Sequence, residues 1–149
     1  MSTWDLSDGV VEFPSGRRVR GRSWHHPVDE YADVTVILTT APPEEFDSRR
    51  DFYGGTELIF IQWPDYRLPR RPVQAQEQLR GIYERLNDEK IEIVCAGGVG
   101  RTGTALAALA IEDGLEPREA IDFVQKNYNS ESATSHAQRG WLLDIQPSA

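Results

Sequence analysis

Three short apolar runs, Val34–Leu38, Glu57–Ile61 and Ile91–Val94, constrain the fold of this chain more than any other feature. Each is too brief for a stable helix and is rich in Val, Ile and Leu, with Thr35, Glu57 and Glu92 as the polar positions. That pattern suits a strand buried on both faces of a sheet. The segments that follow have a different period. Val73, Leu79, Ile82, Tyr83 and Leu86 fall on one helical stripe, and Thr102 to Glu112 is rich in Ala and Leu with Gly114 placed as a C-cap. Pro117 opens a further helix with Ala120, Ile121, Val124 and Tyr128 inward, and a last helix is expected over His136 to Ile145. Strands alternating with helices predict an α/β fold, a central mostly parallel sheet flanked by helices. The 149 residues read as a single domain, 1–149. Two minor elements complete the reading. Val10–Phe13 and Arg17–Arg20 form a hairpin around Pro14-Ser15-Gly16, and Glu44 to Phe52 forms a short helix stopped at Gly54-Gly55.

Composition narrows the function. A net charge of −8 argues against nucleic acid, whose binders present a basic face. No apolar run reaches the roughly 20 residues that a membrane span needs. Met1 to Val11 is too polar and acidic for a signal peptide, so a soluble, cytoplasmic protein with no membrane partner is expected. The single cysteine excludes an intramolecular disulfide, a multi-cysteine zinc site and a CxxC redox centre. Two basic clusters stand out against the acidic background. Arg17 to Arg22 reads as solvated turn residues, whereas Arg67, Arg70 and Arg71 are expected to line the rim of a binding pocket. Asp33, Asp51, His25 and His26 read as structural or surface residues, and no metal or cofactor is expected.

The chemistry concentrates in Val94-Cys95-Ala96-Gly97-Gly98-Val99-Gly100-Arg101-Thr102-Gly103. A buried strand ends, a glycine-rich loop follows, and a helix starts at about Thr102. Backbone N–H groups of such a loop can converge on one anion at the helix N-terminus. Gly97, Gly98 and Gly100 permit the close approach and unusual dihedrals that this needs. Cys95 at the mouth of the nest has its thiolate favoured by the helix dipole and the convergent donors. Arg101 brings a planar fork that suits two phosphate oxygens, and Thr102 can donate its hydroxyl to the sulfur. The phosphate-binding set is therefore Ala96, Gly97, Gly98, Val99, Gly100 and Arg101.

This Cys-x5-Arg-Thr-Gly stretch resembles the phosphate-binding loop of the cysteine-dependent protein tyrosine phosphatase superfamily. One departure is visible: Val94 stands where most members carry a His that helps favour the thiolate. The Cys95 thiolate is expected to be less favoured here for that reason. Trp63-Pro64-Asp65 by itself reads as a turn after a strand. With the family in view, Trp63 to Pro69 resembles the mobile loop that supplies the general acid, which makes Asp65 that acid. Ser135-His136-Ala137-Gln138 resembles the segment that carries a water-orienting glutamine, here Gln138.

The resemblance implies a compact phosphatase fold and a two-step hydrolysis of phosphotyrosine through a cysteinyl-phosphate intermediate. The implied partners are phosphorylated proteins or peptides, or a small phosphate ester, with phosphate-like oxyanions as inhibitors. A dual-specificity phosphatase and a catalytically weak phosphotyrosine-binding relative are the competing readings. Arsenate reductases and sulfur-transfer enzymes share cysteine-centred anion loops. The former need resolving cysteines that this chain lacks, and the latter lack the Arg101-Thr102-Gly103 continuation.

Overall fold

The computed structural model describes residues 3–49, 57–133 and 135–145. Among them are five strands, β1 (Val10–Glu12), β2 (Arg18–Ser23), β3 (Val34–Thr39), β4 (Glu57–Gln62) and β5 (Ile91–Cys95). A 3-10 helix spans Pro43–Arg49. Four α-helices follow as α1 (Pro72–Arg85), α2 (Gly100–Glu112), α3 (Pro117–Asn127) and α4 (His136–Leu143). The sheet runs β1-β2-β5-β3-β4, parallel throughout except for the β1–β2 hairpin at one edge. The expected α/β architecture with a mostly parallel sheet is therefore present. Of the short helix expected over Glu44 to Phe52, the part to Arg49 is 3-10; Asp51 and the Gly54-Gly55 stop lie outside the described residues.

The two faces of the sheet are covered differently. Val36, Leu38, Ile91, Ile93 and Cys95 point into the main core with Leu79 and Ile82 of α1, Leu106 and Leu109 of α2 and Val124 of α3. Helix α2 is the hub, with every residue from Arg101 to Ile111 buried. Because side chains alternate along a strand, Val94 and Ile37 face the other way. There they join Trp24 and Phe46 in a second, smaller cluster.

Glu92 shares that second face, fully buried in an otherwise apolar strand. Its carboxylate accepts from Arg22 Nε at 2.7 Å, Arg22 Nη2 at 2.9 Å, Arg20 Nη2 at 2.5 Å and Thr35 Oγ1 at 2.7 Å. Strand register brings them together, since Arg20 and Thr35 are the cross-strand partners of Glu92 on either side. Arg20 also lies over the Trp4 ring, 4.1 Å from its centroid. This corrects the reading of Arg17 to Arg22 as solvated turn residues. Arg20 and Arg22 are only 7% and 9% exposed, because a carboxylate buried in β5 must be neutralised.

Burial by itself would raise the Glu92 carboxyl, but the hydrogen bond and charge of Arg22, with Arg20 and Thr35, more than reverse this and hold it low. A carboxyl depressed in the folded state contributes stability above its unfolded value near 4.5, and that contribution disappears as pH falls through the lower folded value. Glu92→Gln should cost about 3–5 kcal/mol at neutral pH, since it leaves two arginines without their counter-charge. Thermal unfolding followed from pH 3 to pH 7 checks this: the wild type should lose stability on acidification, roughly below pH 4.5, and the variant should show a flatter profile.

Candidate active site

Strand β5 delivers Cys95 to its C-terminal end, where the thiol is 2% exposed and free. The chain then turns through Ala96 to Val99 and enters α2 at Gly100, two residues before the expected start. Gly98 makes the turn possible, with φ +71°. A Cβ there would lie 2.3 Å from the backbone nitrogen of Ser23, so β2 approaches the loop as closely as glycine allows. The Gly98 N–H then donates to Cys95 Sγ at 3.1 Å, and the Thr102 hydroxyl donates to the same sulfur at 3.0 Å. Two donors aimed at one sulfur suit a negatively charged nucleophile.

Arg101, in the first turn of α2, is 7% exposed. Its Nη1 donates to the Trp63 carbonyl at 3.0 Å. Its Nε is buried without a hydrogen-bond partner, and the nearest carboxylate oxygen, Asp65 Oδ1, is 3.6 Å away. A guanidinium N–H left unsatisfied in a buried position costs free energy. This one sits in the wall of a cleft of about 230 Å³ lined by Asp65, Tyr66, Cys95, Gly97, Val99, Gly100, Arg101, Glu131 and Gln138.

The loop after β4 holds Asp65 over this cleft through its neighbours. Trp63 is fully buried, its Nε1 donates to the Arg67 carbonyl at 2.7 Å, and its ring meets Trp141 of α4 edge-on at 5.4 Å. Tyr66 takes φ +63° and stands 72% exposed at the cleft mouth. Helix α4 ties to the same loop. The Ser135 hydroxyl donates to the Tyr66 carbonyl at 2.7 Å, and Gln138 Nε2 donates to the Arg67 carbonyl at 3.3 Å. Gln138 is buried, and its Oε1 accepts from Thr104 Oγ1 at 3.0 Å.

The candidate residues from sequence thus divide by position. Cys95, Arg101, Asp65, Gln138, Gly97, Val99 and Gly100 share the cleft, and Thr102 lies beneath the sulfur. Gly98 sits behind the cleft with its N–H on the sulfur, and Ala96 packs against the Trp24 and Val94 cluster. Arg67, Arg70 and Arg71 do not line the cleft, contrary to expectation. The backbone of Arg67 and Arg70 closes the loop after β4, while Arg71 lines a separate depression with Phe60, Gln62 and Gln74. Sequence reasoning missed Glu131 at the cleft and the hydroxyls of Ser23, Tyr128 and Ser132 behind the loop. The signal for the last two was glycine inside regular elements: a Cβ on Gly21 of β2 would strike the Tyr128 ring, and one on Gly103 of α2 would strike Ser132.

Residues 29–132 match a sequence model of the family described as Protein-tyrosine phosphatase. The chain is similar to receptor-type tyrosine-protein phosphatase V of Rattus norvegicus, 30% identical over 112 residues. That match covers 66% of this chain and 6% of the relative, so the chain spans a small fraction of the length of that relative. The fold is similar to the crystal structure of Tk-PTP in its active form, with 26% identity, a TM-score of 0.65, and coverage of 92% of this chain and 95% of that one. A structure of PTPMT1 in complex with PI(5)P shares the fold at 15% identity and a TM-score of 0.64, covering 92% of this chain and 94% of that one.

Gly98→Ala should destabilise the protein by about 2 kcal/mol or more, because it combines a left-handed φ with a backbone clash. Gly100→Ala, whose Cβ would meet nothing within 4 Å, should change stability by less than about 1 kcal/mol. Chemical denaturation of the two variants beside the wild type measures the contrast.

Proposed function

The chain belongs to the protein-tyrosine phosphatase family of cysteine-dependent phosphatases, and on that premise we propose that residues 1–149 act as one domain hydrolysing phosphotyrosine in protein or peptide substrates. The observation that carries the reading is that Arg101, whose buried Nε lacks a hydrogen-bond partner, lines the same cleft as Cys95 and Asp65. An oxyanion between them would satisfy that N–H and accept from the loop amides.

In the first step the Cys95 thiolate attacks phosphorus, the bond from phosphorus to the tyrosine oxygen breaks, and Asp65 gives its proton to that oxygen. In the second, water attacks the phosphocysteine, Asp65 takes a proton from it, and the S–P bond breaks to return the thiolate and free phosphate. Arg101 and the amides carry the charge on the equatorial oxygens in both steps. Gln138, fixed between Thr104 and the Arg67 carbonyl, is placed to orient the water. The Thr102 hydroxyl stabilises the thiolate when it is the leaving group.

The cleft also suggests the substrate class. Among the described residues Arg101 is the one cation lining it, and Glu131 adds a negative charge. A singly phosphorylated ester fits such a lining better than a highly phosphorylated inositide does. Tyr66 is, among the described residues, the one aromatic lining the cleft, and its ring can pack against the phenyl group of phosphotyrosine. A thiolate nucleophile works in a reducing compartment, which supports the cytoplasm as the site of action. Among the described residues no helix is long and apolar enough to cross a membrane.

Steady-state hydrolysis of para-nitrophenyl phosphate and of phosphotyrosine, phosphoserine and phosphothreonine peptides tests the reading. The wild type should show a bell-shaped pH profile with a mildly acidic optimum. Cys95→Ser should abolish turnover, and Asp65→Asn should lower kcat by about 10²–10⁴-fold. Turnover that survives in Cys95→Ser would refute the assignment. Tyr66→Ala should reduce kcat/KM for the phosphotyrosine peptide more than for the phosphoserine peptide; equal losses would favour dual specificity.

A further inference from the structure

Behind the loop, on the side away from the cleft, three hydroxyls, one from β2 and two from the C-cap of α3 and the turn after it, each reach a loop carbonyl. Ser23 Oγ, at the end of β2, donates to the Ala96 carbonyl at 2.6 Å. The Tyr128 hydroxyl, at the C-cap of α3, donates to the Gly98 carbonyl. Ser132 Oγ donates to the Val99 carbonyl at 3.0 Å. We propose that Ser23, Tyr128 and Ser132 form a hydroxyl collar that holds these carbonyls outward and thereby aims the amides of Gly97, Val99 and Gly100 at the bound oxyanion.

The geometry of the peptide unit supplies the connection. A trans peptide is planar, so its C=O and the N–H of the next residue point in opposite directions. Pulling the Ala96, Gly98 and Val99 carbonyls backward therefore turns forward the N–H groups of Gly97, Val99 and Gly100. Those are the three residues that, with Cys95 and Arg101, form the loop's share of the cleft wall. Donors fixed in advance stabilise a developing charge without reorganising when it appears, which is the larger part of oxyanion catalysis.

Three glycines make room for the collar, and each opposes one of its members. A Cβ on Gly98 would lie 2.3 Å from the Ser23 nitrogen, one on Gly21 would lie 2.7 Å from the Tyr128 ring, and one on Gly103 would lie 2.1 Å from Ser132 Oγ. The Tyr128 and Ser132 side chains are therefore seated against the backbone at Gly21 and Gly103, and the backbone of Ser23 is seated against Gly98. Burial, and then the neighbouring charge of Cys95, push the Tyr128 phenol above its ordinary value, so it remains a donor throughout the working pH range. Val94, the residue before the nucleophile, points into the Trp24 and Phe46 cluster and offers the loop no polar group. The Gly103 N–H shares the Val99 carbonyl at 2.8 Å and the Trp24 N–H holds the Cys95 carbonyl at 3.1 Å, and the hydroxyls hold the loop beside these backbone bonds.

The proposal rests on the phosphatase reading, and its test separates the two. Tyr128→Phe, Ser23→Ala and Ser132→Ala are compared with the wild type for inhibition by orthovanadate and for the pH profile of para-nitrophenyl phosphate hydrolysis. Tyr83→Phe, whose hydroxyl bonds Asp113 outside the cleft, serves as the control. Each collar variant should weaken vanadate inhibition and lower kcat by about two- to tenfold, the worth of one hydrogen bond. The acidic limb of the profile should also shift to higher pH, and the double variant of Ser23 and Tyr128 should lose more than either single one. Tyr83→Phe should match the wild type in all respects. Because Ser132 lies off the sheet, its variant carries the test should the Tyr128 or Ser23 change prevent folding. Folded collar variants with wild-type vanadate inhibition and pH profile overturn the collar alone. A wild type that neither binds vanadate nor turns over substrate overturns the phosphatase reading and the collar with it.

Discussion

Arg101 joins the two halves of this molecule's cleft. Its backbone belongs to the first turn of α2, which begins where the cysteine loop ends, and its guanidinium reaches across to the Trp63 carbonyl of the acid loop. A charged N–H bonded to a buried carbonyl is expensive to break, so this contact ties the loop after β4 to the first turn of α2. The remaining Nε has no hydrogen-bond partner among the described residues and stands 3.6 Å from Asp65 Oδ1. One side chain therefore closes the site and leaves a charge-assisted donor for an anion, with the planar fork that lysine would lack.

The fold places that arginine by a chain of ordinary constraints. A parallel sheet requires crossovers, and the β5 to α2 connection is a tight one, four residues between strand and helix. Tightness requires a left-handed residue at Gly98, and the strand beside it leaves no room for a Cβ. Burying α2 on every side then anchors the helix N-terminus, so its dipole and amides hold one orientation toward the cleft. The Glu92 cluster steadies the opposite face. It locks β2, β3 and β5 in register next to the loop, and a slip of one residue would turn Glu92 into the main core without its arginines.

Much of this was legible in the residues themselves. The runs Val34–Leu38, Glu57–Ile61 and Ile91–Val94 became β3, β4 and β5; β3 and β5 are buried along their length as their apolar pattern requires, whereas β4, expected to be buried, lies at the sheet edge with only Ile61 buried. The loop from Cys95 to Arg101 was legible because its chemistry is compressed into seven consecutive residues. What stayed hidden depends on contacts far apart in sequence. Arg20 and Arg22 looked like solvated charges until Glu92, about seventy residues away, appeared between them. Arg71 seemed to belong to the pocket by its nearness to Asp65, yet the turn through Tyr66 sends it to another surface. Ser23, Tyr128 and Ser132 have no motif around them. Only the glycines at 21, 98 and 103 hinted that something lay close.

The account depends on residues 95 to 101 encircling an oxyanion with sulfur on one side and the guanidinium on the other. A crystal structure of the protein with orthovanadate tests that directly. The expected result is vanadium at the Cys95 sulfur, oxygens held by Arg101 and the amides of Gly97, Val99 and Gly100, and Asp65 at the apical oxygen. Vanadate bound elsewhere, or a loop with the Cys95 sulfur turned away from Arg101, would contradict it.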